Sequence, residues 1–451
     1  MFTKDKLYGI LGLARSGEAA AYKILELGGK AFLSDYSSQD KVTNADKLQA
    51  DFDCEFGGHT DKLLKCDEWI VSPGIPLDAP IIKAGLAAGI PMISEIEFGY
   101  QIKATDSKII AVTGSNGKST TASLIYHILT GLGKKAILAG NIGDAFCVYP
   151  IEKPGIEYIV LEISSFQLDL IKSFRPNVAV LLNITPDHLN RYLSFEHYAM
   201  SKLSIFEHML AEDTAILNFD DVQTRSRDKI IKAPITYFTG GDKVSGVSAW
   251  NDGVFLNFED TSQLSIYDIG IRGPHNSMNA MASVLAVNAV INDLPRVIAA
   301  TKGFKALQHR LEYVATVNGV AFYNDSKATN TDSVKFALLS FDKPIRVMMG
   351  GSDKGEDFGC ITDLLSRHAS KVYITGDTVD KMRQSWLGKV PLTCIDDFDK
   401  CLRSAFEESM AGDVIVLSPG CASFDRFKNF EHRGRHFKEL VQTIKREHEK
   451  D

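Results

Sequence analysis

Apolar residues recur along the chain in two rhythms. Short uninterrupted runs read as buried strands, and longer stretches with one apolar face read as helices. Residues 7–100 open with LYGILG, pass into a helix from about Gly17, and continue through KAFLSD and later EWIVSPG. A second series starts at KIIAVTG (108–114) and enters an amphipathic helix that puts Leu124, Ile125, Ile128 and Leu129 on one face; YIVLEIS and VAVLLNI follow as buried strands. Near residue 305 the rhythm restarts, with GVAFYNDS, PIRVMMGG, KVYITG and DVIVLSPG each followed by a helical stretch. The alternation predicts an α/β protein of three domains, at 1–97, 98–304 and 305–451.

Length agrees with that division, since 451 residues exceed the roughly 250–300 at which a single hydrophobic core stops growing. At 45% hydrophobic and 24% charged, the chain can bury such cores, and disorder is excluded. Fifty basic against fifty-seven acidic side chains give a net charge of −7 with no long basic run, so neither nucleic acid nor an anionic membrane is an expected partner. The seven cysteines (Cys54, Cys66, Cys147, Cys360, Cys394, Cys401 and Cys421) are scattered, with no CxxC pair, and read as reduced thiols. No apolar stretch approaches the about 20 residues that span a bilayer. The amino terminus runs straight into a strand-like segment, so a cytoplasmic location is expected.

Val112-Thr113-Gly114-Ser115-Asn116-Gly117-Lys118-Ser119-Thr120 lies between a predicted strand and helix, where backbone N–H groups can cradle phosphates. Lys118 would reach the outer phosphates and Ser119 would offer its hydroxyl to Mg²⁺. Val112 stands where the first glycine of GxxxxGK[ST] belongs, so the loop is a shortened P-loop variant. Gly12-Leu13-Ala14-Arg15-Ser16-Gly17, with Asp35 beyond a second strand, imitates a dinucleotide fingerprint but has Ala14 at the middle glycine. That substitution disfavours a nicotinamide dinucleotide. It leaves an anionic ligand such as a uridine diphosphate at the helix start, or a tight turn that serves packing alone.

Glu162 closes the apolar strand YIVLEIS, where a carboxylate is expensive to bury unless it is paired or holds a metal; Mg²⁺ is the economical reading. Asp187 and His188 follow VAVLLNI at a second strand end. A histidine alone reads as a structural hydrogen bonder, but the carboxylate beside it and the nearby phosphate loop turn the reading toward a ligand. Lys202, in YAMSKLSIF, reads by composition as a solvated helix lysine.

GSNGKST (114–120), LEISSFQL (161–168), NITPDHLNRY (183–192), HNSMNAMA (275–282) and His309-Arg310 together resemble the Mur ligases over most of the chain. That family includes ligases that add alanine, diaminopimelate or lysine, and a dipeptide, and folylpolyglutamate synthetase is a cousin. NDSKATN (324–330), GGSDKGEDF (350–358) and SPGCASFDRFKNFEHRG (418–434) resemble its D-glutamate-adding branch. Departures are Gly420 where alanine is frequent, and Gln308 and Leu311 where proline and phenylalanine are usual.

The resemblance implies a Rossmann-like first domain for a uridine nucleotide, a central P-loop ATPase domain, and a mobile Rossmann-like third domain that brings the amino acid, closing to complete the site. It also implies ATP-dependent joining of D-glutamate to UDP-N-acetylmuramoyl-L-alanine through an acyl phosphate, by a monomer. By the same resemblance, Arg15, Asp35, Ser37 and Ser72 lie along the uridine diphosphate, while Asn141 and His188 contact the muramoyl-alanine end. Gly114, Asn116, Gly117, Lys118, Ser119, Thr120, Asn276, Asn279, Arg310, Asp325 and Lys327 hold ATP. Ser119 and Glu162 bind one Mg²⁺, and His188 with a carbamylated Lys202 a second. Lys354 and Ser423 take a D-glutamate carboxylate, Thr329 and Phe430 line its pocket, and Asp187 stands near the attacking amine. The alternatives are another Mur ligase with a different amino acid and a nucleotide-binding sensor without turnover.

Overall fold

The computed structural model describes residues 2–187, 191–259, 261–353 and 355–448. Among these, the strands form three sheets. The first runs in the order Asp53–Phe56, Lys30–Asp35, Leu7–Leu11, Glu68–Val71, Met92–Ile93, all parallel. Its helix starts at Arg15, after an extended Ala14, two residues before the sequence suggests. The turn is tight because Asp35 takes the Leu13 N–H at 2.7 Å.

The central sheet places Lys108–Thr113 between Val178–Leu181 and Tyr158–Glu162. Beyond Val178–Leu181 it extends through Thr214–Asn218, Ile235–Thr239 and Val247–Asn251 and ends in two antiparallel strands, Phe255–Phe258 and Gln263–Ser265. The uninterrupted apolar runs follow from burial on both faces, as in parallel sheets generally. Ile109, Ile110, Ala111 and Val112 are fully buried, and so are Leu124, Ile125, Ile128 and Leu129 of the helix Lys118–Gly131.

The third sheet runs Glu312–Val317, Val320–Asn324, Val414–Leu417, Ile345–Met349, Ala369–Ile374, Leu392–Cys394, with only the first pair antiparallel. The chain divides into two compact units, Met1–Ser265 with Met278–Lys302, and Ile266–Ser277 with Gly303–Asp451. No helix among the described residues is long and apolar enough to cross a membrane.

Candidate active site

The chain leaves Lys108–Thr113 at the point where consecutive strands pass to opposite sides of it, and open α/β sheets hold ligands at such a crevice. The loop that follows is fixed to the segment after Val178–Leu181. Asn116 N–H donates to Asn183 Oδ1 at 2.8 Å and Asn183 Nδ2 returns a bond to Asn116 O at 3.1 Å. Ser115 Oγ accepts from Thr185 N–H at 2.9 Å. Gly117 has φ +87°, and a Cβ there would stand 2.4 Å from Asn279 Oδ1, so Asn279 packs against the loop only because this position is glycine. Gly117 also occupies the N-cap and offers no side chain to cap the helix, so the helix opens at the end where anions are held. Lys118 Nζ folds back on its own loop, donating to Gly114 O at 2.8 Å and Ser115 O at 2.9 Å. Ser119 and Thr120 are buried in the first turn of the same helix.

Glu162 ends Tyr158–Glu162 in register with Val112 on one side and Gly140 on the other. Its side chain is buried; Oε1 accepts from Asn141 Nδ2 at 2.8 Å, whereas Oε2 is buried without a hydrogen-bond partner. Leaving such an oxygen unsatisfied costs about 1–3 kcal/mol or more, and a hard divalent cation coordinated through oxygen would relieve that cost. The orphaned oxygen of Glu162 therefore fits Mg²⁺. Among the described residues no cluster of three or more His, Cys, Asp or Glu side chains gathers that could hold a metal ion.

Lys202 corrects its reading as a solvated lysine. It is 2% exposed. Four residues after Tyr198 in the helix Phe195–Leu203, it shares a face with that ring. Its Nζ lies 4.7 Å from the Tyr198 ring centre and donates to Gly114 O at 2.9 Å. Tyr198 itself meets Ser115 Oγ at 2.9 Å. Burial first, and then the neighbouring charge of Lys118, holds the Lys202 ammonium well below the usual lysine range. Lys118, Lys202, Asp187 and Asn141 together line a cavity of about 340 Å³. His188 lies outside the described residues.

Arg191 faces the same cavity, a placement that its residue type inside NITPDHLNRY does not signal. Its guanidinium stacks 4.0 Å over Phe166 and donates to Gly74 O at 3.0 Å and Ile75 O at 2.6 Å. It thereby ties the loop after Ser72 to the central sheet's cavity.

In the first domain, the Asp35 carboxylate accepts from Leu13 N–H and, at 2.8 Å, from Ser37 N–H, and Ser72 Oγ donates to Gly12 O at 2.7 Å. These residues surround the 12–17 loop. Arg15 reaches beyond it, donating to Gly143 O and, at 3.2 Å, to Gly140 O. It therefore holds the segment that carries Asn141.

In the C-terminal unit Asp325 is buried, accepting from Ser418 Oγ at 2.9 Å and Leu311 N–H at 3.2 Å. Burial pushes its carboxyl up to about 7. Lys327 Nζ stands 5.4 Å from the Phe430 ring centre, Ser423 is buried, and Thr329 and Phe430 are half-buried. Asn276 Nδ2 donates to Arg272 O at 2.7 Å, and Arg310 N–H to Leu307 O at 3.1 Å. Lys354 lies outside the described residues.

Three family models match the chain: Mur ligase MurD-like, N-terminal domain over residues 6–94, Mur ligase middle domain over 112–287, and Mur ligase, glutamate ligase domain over 309–421. The UDP-N-acetylmuramoylalanine–D-glutamate ligase of Salinibacter ruber is 38% identical across 96% of this chain and 97% of its own length. The protein of the same name from Koribacter versatilis is 38% identical across the whole of both chains. Among solved structures, the UDP-N-acetylmuramate-alanine ligase MurC of Thermotoga maritima is similar with a TM-score of 0.63 at 17% identity, covering 98% of this chain and 100% of that one. MurF from Acinetobacter baumannii reaches 0.63 at 18%, covering 96% and 93%. At these identities the structural likeness concerns the fold.

Proposed function

The chain belongs to the Mur ligase family, and on that footing we propose that it joins D-glutamate to UDP-N-acetylmuramoyl-L-alanine at the expense of ATP. The setting is the cytoplasmic stage of peptidoglycan precursor synthesis, and the active species is the monomer. The observation that carries the chemistry is the cavity in which Lys118 and Lys202 meet a phosphate loop beside the half-partnered carboxylate of Glu162. The D-glutamate assignment is supported by the names of full-length relatives.

An alanyl carboxylate does not accept an amine at neutral pH, so the γ-phosphoryl group of ATP is first transferred to it, and the D-glutamate amine then displaces phosphate from the acyl phosphate. Residues 114–120 hold the ATP phosphates through backbone N–H groups, and Lys118 exchanges its loop carbonyls for the outer phosphate oxygens. Ser119 and Glu162 would hold one Mg²⁺ and His188 with a carbamylated Lys202 a second; bound there, the ions offset the charge that gathers between phosphoryl and carboxylate oxygens. The neutral Lys202 amine adds to carbon dioxide, forming an N–C bond and releasing a proton. Its burial and depressed proton affinity favour the neutral amine that this reaction needs.

Residues 1–97 receive the uridine nucleotide around Arg15, Asp35, Ser37 and Ser72, with Asn141 and His188 toward the muramoyl-alanine end. Asn276, Asn279, Arg310, Asp325 and Lys327 contact ATP. Residues 305–451 recognise D-glutamate through Thr329, Lys354, Ser423 and Phe430, and Asp187 lies near its amine. The test is phosphate release with each substrate omitted in turn and with D-glutamate, L-glutamate and diaminopimelate compared. Turnover should require UDP-N-acetylmuramoyl-L-alanine together with D-glutamate. Comparable specificity constants for the two enantiomers, or ATP turnover without either co-substrate, would overturn the assignment.

A further inference from the structure

Arg433 stands in the first turn of Phe430–His448. Its side chain is 2% exposed. Nε donates to Ser326 Oγ at 3.0 Å; Nη2 donates to Ser326 O at 2.9 Å and Cys421 O at 3.0 Å; Nη1 donates to Ala422 O at 3.1 Å and Gly350 O at 3.5 Å. These acceptors lie just past the carboxyl ends of Val320–Asn324, Val414–Leu417 and Ile345–Met349, three parallel strands that are neighbours in the sheet. Such ends are where open α/β sheets build ligand sites.

All five acceptors are carbonyl or hydroxyl oxygens. The carboxylates of Asp425 and Asp325 act on the guanidinium only through space, and burial outweighs them, lowering its pKa to about 10. A buried cation held by neutral dipoles is costly, and packing alone would be served better by an apolar residue. What the guanidinium supplies is a rigid planar fan of five donors, which neither an apolar side chain nor a lysine reproduces. Ser326 Oγ completes the arrangement by donating to Phe430 O at 2.9 Å. The loops have no slack, because a Cβ on Gly351 would stand 2.2 Å from Ala422 O and 3.0 Å from Arg433 Nη1. On the segments so joined sit Lys327, Thr329, Ser423 and Phe430.

We propose that Arg433 is a positioning residue for the amino-acid substrate: by tying the 326, 350 and 421–422 backbones together it sets the spacing of Thr329, Ser423 and Phe430 around D-glutamate. This rests on the D-glutamate reading above. The experiment uses the full chain with Arg433→Lys and, as a milder change, Ser326→Ala, varying ATP, UDP-N-acetylmuramoyl-L-alanine and D-glutamate separately and recording a thermal melt for each variant. Arg433→Lys should raise KM for D-glutamate by about tenfold or more, and Ser326→Ala by about fivefold, the equivalent of one lost hydrogen bond of about 1 kcal/mol; KM for UDP-N-acetylmuramoyl-L-alanine should hold, and KM for ATP, whose proposed contacts Asp325 and Lys327 flank Ser326, should rise by less than that for D-glutamate. An unchanged KM for D-glutamate in a folded variant, or an equal rise in all three KM values, overturns the proposal. If Arg433→Lys does not fold, Ser326→Ala decides. Failure of the substrate reading itself would appear in the unmodified protein, as turnover that does not need D-glutamate.

Discussion

The Asn141 amide donates to one oxygen of Glu162 at 2.8 Å, and the other oxygen of that buried carboxylate has no hydrogen-bond partner. The pair leaves one lone-pair-bearing oxygen of Glu162 without a protein partner, and on the proposed metal role of Glu162 the Asn141 amide is the outer partner that orients the ligand. Asn141→Ala should therefore raise the Mg²⁺ concentration for half-maximal turnover by about 10–100-fold. Titrating turnover with MgCl₂ measures this, and an unaltered magnesium requirement would remove Glu162 from the metal site.

Lys118 spends its ammonium on two carbonyls of its own loop and takes no part in a hydrophobic core. Lys118→Ala should lower kcat by at least about 10²–10³, the scale on which transition-state charge stabilisation is lost. The thermal melt should shift only slightly. Near-normal phosphate release from this variant would sink the phosphate-binding role.

Lys202→Ala should lose most activity, and formate or acetate should restore part of it by supplying a carboxylate at the vacated ligand position. Because Lys202 is among the largest fully buried side chains, truncation also leaves a cavity. Rescue is thus the informative readout: an inert variant deaf to small carboxylates, or an active one needing none, contradicts the carbamate.

Burial pushes the Asp325 carboxyl up to about 7 in the fold against an ordinary 3.8. Between those values the folded protein binds the proton and the unfolded chain does not, so this residue's contribution to stability is complete below about 4 and is lost as pH rises through 7. At about 1.4 kcal/mol per pH unit the difference amounts to roughly 4 kcal/mol at most. Melting temperatures of the unmodified protein should fall relative to Asp325→Asn as pH goes from 4 to 7. Parallel profiles would mean that Asp325 is ionised throughout.

Where a feature depends on neighbouring residues, the sequence already displays it. The apolar runs, the phosphate loop between strand and helix, and the buried face of Lys118–Gly131 all follow from local periodicity and turn chemistry. What escapes is long-range. Glu196, His197, Ser201 and Lys202 make Phe195–Leu203 look like a surface helix, yet the partner of Lys202 lies 88 positions earlier. Arg15 meets Gly140 across 125 positions, and Arg433 meets Ser326 across 107. Lys202 and Arg433 are buried and Arg15 is exposed, but all three charged side chains are held by backbone carbonyls from another part of the chain, and carbonyls leave no mark in residue type.

Lys118 and Lys202 place their amines on the same oxygen, Gly114 O, at 2.8 and 2.9 Å. A carbonyl has two lone pairs, so the shared acceptor works as a relay post. On the phosphate role proposed for Lys118, its departure leaves Gly114 O with the Lys202 donor, sparing the loop the about 1–3 kcal/mol of a buried group left unsatisfied. A carbamylated Lys202 still carries one N–H and can stay at that station. On that reading, arrival of the nucleotide changes the guard at Gly114 without emptying the post.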